Sequence, residues 1–167
     1  MDKDNLYAPP AADLGIPQES NLASRWSRLG GSLIDGIVSM IILGPVMYFT
    51  GFWQRAMSGD APASDPVIYG LLGIVVYLVL NGYLLSKHGQ TIGKLVVGTR
   101  IISIDTNEIL PLWKVFAVRY IPLAISANLP IIGPFIVVID SLFIFRKDKR
   151  CIHDLIAGTK VVKAGAR

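Results

Sequence analysis

Two aspartates and two arginines stand inside apolar runs of this 167-residue chain, where a charge is costly unless it is partnered or functional. Asp35 lies in "SRLGGSLIDGIVSMII", residues 27–42, seven positions after Arg28. Seven residues are two helical turns, so the pair shares a face. Arg119 and Asp140 are the only charges in the run 115–145, and Asn81 sits in the uncharged run 67–86. If each run is a helix entering from one membrane face, Asp35 lies about 9 Å in, Asp140 about 8 Å, and Arg119 and Asn81 about 6 Å. Arg28, Asp35, Asn81, Arg119 and Asp140 then form one polar layer. Two chemistries suit it. It can be a set of structural ion pairs, with Arg28 and Arg119 as charge partners of Asp35 and Asp140. It can instead be an ion or proton site open to one side, because a carboxylate at such depth can take up and release a proton.

The elements that position this layer follow from composition. The chain is 52% hydrophobic and 17% charged, below the roughly 25% charge of soluble domains. Runs of spanning length make it an integral membrane protein. Spans are expected at about 29–49, with a kink at Gly44–Pro45, and at about 67–85. The run 115–145 would measure about 46 Å as one helix, too long for a hydrocarbon core of roughly 30 Å. Turn residues in "NLPIIGP", 128–134, divide it into spans at about 112–127 and 131–145, both short enough to form a re-entrant hairpin. With four spans, every one of the 16 Lys and Arg residues except Arg55 falls on one side, which the positive-inside rule makes cytoplasmic. The expected fold is therefore an all-α membrane protein of two helical hairpins, in a bacterial inner membrane with both termini cytoplasmic, carrying short cytoplasmic amphipathic or β elements.

Residues 1–22 are rich in Pro, Ala and acidic side chains and read as a disordered cytoplasmic tail, with no cleavable signal peptide. The membrane domain covers 23–164, and 165–167 form a short tail. The excess of basic residues is explained by topology and calls for no nucleic acid. The cluster "RKDKR", 146–150, suits anionic lipid. Four short helices enclose little volume, which favours a homo-oligomer or a membrane-protein partner.

An internal echo places further polar residues. "IGKLVVGTRII" at 92–102 aligns without gaps with "IHDLIAGTKVV" at 152–162, an offset of 60. Each copy follows a pair of spans, which suggests a duplicated hairpin plus cytoplasmic element. The ends "TRIISI" and "TKVV" suit short strands that could pair. "GQTIGK" at 89–94 fails as a phosphate loop, because three residues separate its glycines and Leu95 follows the lysine. His88 and His153 lack metal-ligand spacing, so no metal or other cofactor is expected. Cys151, the one cysteine, reads as a small apolar residue. No catalytic triad or Cys–His arrangement is legible, and no enzyme activity is expected.

At these residues the chain resembles the RDD family of small membrane proteins, named for one arginine and two aspartates. "RLGGSLID" resembles the first-helix motif and carries the name residues onto Arg28 and Asp35. "GQTIGKLVVGTRII" resembles the central motif, with Gln90, Thr91 and Lys94. "RCIHDLIAGTKVV" resembles the closing motif, with His153, and Asp154 matches the second aspartate. That position implies a cytoplasmic surface location, where Asp154 caps an interfacial helix or pairs with Lys94. Most family members have no assigned function. Sodium/proton antiport has been proposed for some bacterial members, and a eukaryotic relative is similar to a scaffold of membrane quality-control complexes. The expected function is transport of a small solute or cation, coupled to protons or sodium. The alternative is a non-catalytic assembly or scaffold subunit.

Overall fold

The computed structural model describes residues 21–127 and 132–165. Most of the expected N-terminal tail, and the turn residues 128–131, lie outside the described residues. Leu22, assigned to that tail, instead bridges Val162, and the Ala23 N–H donates to the Val161 carbonyl at 3.0 Å.

Ser24 opens the first helix by accepting the Ser27 N–H at 3.0 Å, the usual role of a serine at this position. Helix α1 (Arg25–Phe49) continues through Pro45 and ends at Thr50. Gly51, with φ of +72°, turns the chain into the short α2 (Phe52–Ser58). Helix α3 (Asp65–His88) returns. At 1.5 Å per residue α1 and α3 measure about 37 and 36 Å, and both are apolar enough to cross a membrane. Their apolar side chains face outward along the whole length, from Leu33 and Ile41 on α1 to Leu71 and Val79 on α3. Outward apolar faces of that extent need lipid or protein around them.

The remaining chain is shorter-paced. Helix α4 (Ile92–Val96) leads into β1 (Thr99–Ser103). Helix α5 (Leu112–Val115) runs through a π-helical turn (Phe116–Tyr120) into α6 (Ile121–Ala127). Helix α7 (Ile132–Leu142) closes with a 3₁₀ turn (Phe143–Phe145). Helix α8 (Ile152–Ala157) and β2 (Thr159–Lys163) follow. Helices α5 to α7 fall on the expected third and fourth stretches, but α7 measures only about 16 Å. Among the described residues two helices, rather than four, have full spanning length. The fold is mostly helical, with a small sheet.

Strands β1 and β2 pair antiparallel, as their β-branched residues suggested, with Ile101 opposite Val161. Those two residues are 60 apart and lie at the centre of a local two-fold arrangement. On one side of it the Ile104 N–H donates to the Gly158 carbonyl at 3.0 Å, and on the other Ala164 donates to Gly98 at 2.8 Å. Gly98 and Gly158 have φ of +66° and +61°, a conformation glycine adopts without penalty after a helix. Ile101 and Val161 pack with Ala23, Leu85, Leu110 and Val115 in the buried core.

Candidate functional site

The polar residues gather where the short helices meet the long ones. Helix α4 has three N-terminal N–H groups that no intrahelical carbonyl can satisfy. Each finds a different partner. Asn81 on α3 accepts from Ile92 at 2.9 Å, Asp35 on α1 accepts from Gly93 at 2.7 Å, and the Thr91 hydroxyl accepts from Lys94 at 3.2 Å. The other Asp35 oxygen accepts from the Thr91 hydroxyl at 2.5 Å and lies 4.0 Å from Lys94 Nζ. Both partners of that pair are close to buried, at 12% and 9% side-chain exposure. Helix α4 approaches α1 this closely because Gly31 and Gly93 face each other. A Cβ on Gly93 would collide with the Gly31 carbonyl and lie 2.9 Å from Asp35 Cγ. Gln90 anchors the strand behind, donating to the Thr99 carbonyl at 2.7 Å.

Helix α8 repeats the plan. Asp140, from α7, accepts the His153 N–H at 2.9 Å, the position equivalent to Gly93 at the offset of 60. The Cys151 thiol accepts from the Asp154 N–H, and the Asp154 carboxylate accepts in return from the Cys151 N–H at 3.3 Å. This is a reciprocal capping box with sulfur in place of a hydroxyl. Asp154 therefore caps a helix as expected, but it is neither at the surface nor paired with Lys94. It is fully buried and forms ion pairs with both Arg28 and Arg119. Thr159 joins them, accepting from Arg119 Nη1 at 2.9 Å and donating to Asp154 Oδ1 at 3.2 Å.

The expected pairing of Arg28 and Arg119 with Asp35 and Asp140 is thereby corrected. Arg28 shares α1 with Asp35, yet the two turn to different neighbours: Arg28 to α8, Asp35 to α4. Arg119 is carried by the π-helical turn, and such a turn re-aims side chains off the regular helical stripe. The single layer is instead two clusters. Three cations (Arg28, Lys94, Arg119) balance three carboxylates (Asp35, Asp140, Asp154).

Electrostatics separate the groups of the α8 cluster. Burial alone would raise the Asp154 carboxyl, but Arg119 and then Arg28 outweigh it and hold it well below the usual carboxylate range. Burial lowers His153, and Arg119 lowers it further, against the upward pull of Asp140 and Asp154. The imidazole is thus neutral at neutral pH, and its Nδ1–H donates to Asp140 at 2.6 Å. Burial pushes the Cys151 thiol up to about 11.

Three contributors escaped the sequence reading. Arg25 donates to the carbonyls of Ile144, Phe145 and Arg146 and closes the end of the 3₁₀ turn. Thr159 is one. Cys151 is the third, and the offset of 60 that aligns it with Thr91 was the available signal. At the far end of α1, Arg55 pairs with Asp65 at 2.8 Å and donates to the Thr50 carbonyl at 2.7 Å.

A model of the RDD family matches residues 22–158. The chain belongs to the RDD family. Of the residues identified with the family name, Arg28 and Asp154 bond to each other, while Asp35 holds α4. Relatives extend over nearly the whole RDD chain. An uncharacterized protein of Haemophilus influenzae is 28% identical over 148 residues, covering 88% of this chain and 81% of its own length. The uncharacterized protein YckC of Bacillus subtilis is 30% identical over 144 residues, 85% of each chain. The uncharacterized membrane protein YteJ of Bacillus subtilis is 28% identical over 162 residues, 90% and 89% of the two chains. No solved structure matches the chain significantly. With its two long apolar helices, the chain is a membrane protein of the RDD family.

Proposed function

We propose that this protein moves a small monovalent cation across a bacterial inner membrane, with Asp35 as the binding carboxylate. One observation carries the reading: the Asp35 carboxylate and the Lys94 ammonium lie 4.0 Å apart, nearly buried, between a long apolar helix and a short one. An ionisable residue in such a helix is costly to keep, and the usual return is an ion pathway. Lys94 acts as the resident counter-charge. An arriving cation replaces it at Asp35 and finds a second oxygen on Thr91. The four-span arrangement with cytoplasmic termini and the duplicated hairpin plan belong to the same reading. The matched capping of α4 and α8 and the local two-fold sheet support the duplication. The distribution of Lys and Arg supports the orientation.

Proteoliposome flux tests the proposal. Wild-type protein should carry sodium down its gradient above protein-free vesicles, and Asp35→Asn should reduce that flux to the vesicle background. Lys94→Gln should retain flux and lower the half-saturating sodium concentration. Unchanged flux in Asp35→Asn would remove the assignment.

A second reading, a non-catalytic assembly subunit, is favoured by the buried ion pairs that join Arg28 and Arg119 to Asp154. Such a network fixes a shape and moves nothing. Absence of any flux by wild-type vesicles would favour it.

A further inference from the structure

The sequence offered no metal-ligand spacing, because spacing rules look for ligands on one helix or one knuckle. The structure brings three different donors together from two elements. Asp140 comes from α7, and Cys151 and His153 come from the start of α8. Their ligand atoms, a carboxylate oxygen, the thiol sulfur and an imidazole nitrogen, all lie within 4.8 Å of one another. Asp140 and Cys151 are buried, and His153 keeps 19% of its side chain exposed, which leaves an approach from one side.

Asp140 and Cys151 are held in place by contacts that leave lone pairs for a further ligand. Asp140 Oδ1 is fixed by the His153 N–H, leaving Oδ2 to face the ring. The thiol is fixed as the cap of α8. The imidazole has a carboxylate behind it: His153 Nε2 lies 3.7 Å from Asp154 Oδ1. Histidines that bind metals through one nitrogen characteristically present the other to a carboxylate, which sets the tautomer and orientation of the ring. Asp154 is itself immobilised by two arginines, so the backing carboxylate is rigid.

We propose that Asp140, Cys151 and His153 form a binding site for a divalent transition metal of the zinc class. Mixed sulfur, nitrogen and oxygen donors select borderline ions over magnesium or calcium. Three protein ligands leave a fourth position open in a tetrahedral site. The Nδ1–H···Oδ2 bond of 2.6 Å is the metal-free form, with a proton where the metal would go. On binding, that proton transfers to Nε2 and faces Asp154, and the thiol releases one proton to solvent. The site is separate from the Asp35–Lys94 pair and stands or falls without it.

Cobalt(II) is the probe, added to the full-length protein in detergent after chelator treatment. The expected result is one cobalt per chain, with the strong visible absorption of a tetrahedral ion and a thiolate-to-cobalt charge-transfer band. Zinc should displace it. Cys151→Ser should lose the charge-transfer band, and His153→Ala should lose the tetrahedral absorption. The wild-type spectrum decides even where a variant folds poorly. A bound cobalt without thiolate charge transfer, or no stoichiometric cobalt at all, overturns the proposal and leaves an Asp–His hydrogen bond only.

Discussion

Asp154 has no exposed surface, and two guanidinium groups close on it. Removing its charge would leave Arg28 and Arg119 buried without compensation, a change that costs about 3–5 kcal/mol in buried pairs. Asp154→Asn should therefore lower the thermal midpoint of the detergent-solubilised protein strongly at pH 7. The pH dependence has a definite sign. The folded carboxyl titrates below its unfolded value of about 3.9, so its contribution is fully present above that value and is lost as pH falls through the folded one. The gap between wild type and Asp154→Asn should stay constant from pH 7 to 5 and close only well below pH 4. A gap that closes near pH 6 would mean that His153 controls the stability. Arg28, Asp35, Asn81, Arg119 and Asp140 were all recognisable from the sequence as residues needing partners. Their partners were not. Distance along a run gives depth, and says nothing about which neighbour a side chain turns to. The Arg28–Asp154 pair joins residues 126 apart, a separation that no local pattern encodes.

Among the elements, α4 is the most tightly specified. It has only five residues, far below the length at which a helix holds itself together. It persists because Asn81, Asp35 and Thr91 cap it and Gly93 lies against Gly31. Gly93→Ala would push a methyl group into backbone, which cannot yield as a side-chain tip can. A loss of about 1–3 kcal/mol is expected, the usual range for overpacking. Gly36→Ala is the control, since nothing lies within 4 Å of a Cβ there, and it should be neutral or slightly stabilising. Thermal melts of the two variants make the comparison, and equal midpoints would refute the close-packing account. The runs 112–127 and 131–145 were legible as helical stretches because their composition is so apolar. The π-helical turn at Phe116–Tyr120 was not, since apolar content carries no information about one extra residue in a helical turn.

At the scale of the whole molecule, the proposed orientation puts α4, α8 and the sheet on the cytoplasmic side and Arg55 on the other. Cys151 cannot report this, because burial protects it on either side. Exposed positions can. Lys147→Cys should resist impermeant thiol reagents in intact cells, whereas Met57→Cys, at 86% exposure, should react. Labelling of Lys147→Cys before lysis would reverse the topology. The charge distribution is the sequence feature on which that orientation is proposed. The sheet that joins the two halves was only suggested, since its strands are five residues each and take their register from one another.

The bond between Arg28 and Asp154 also sets an order of events on the ribosome. Synthesis at about 5–20 residues per second separates the two ends of this ion pair by roughly 6–25 s. Throughout that interval Arg28 lacks its carboxylate, and Arg119 later joins it. The chain therefore completes this buried ion cluster only once α8 has been made. A nascent chain stalled short of Asp154 would present two cations without their shared carboxylate.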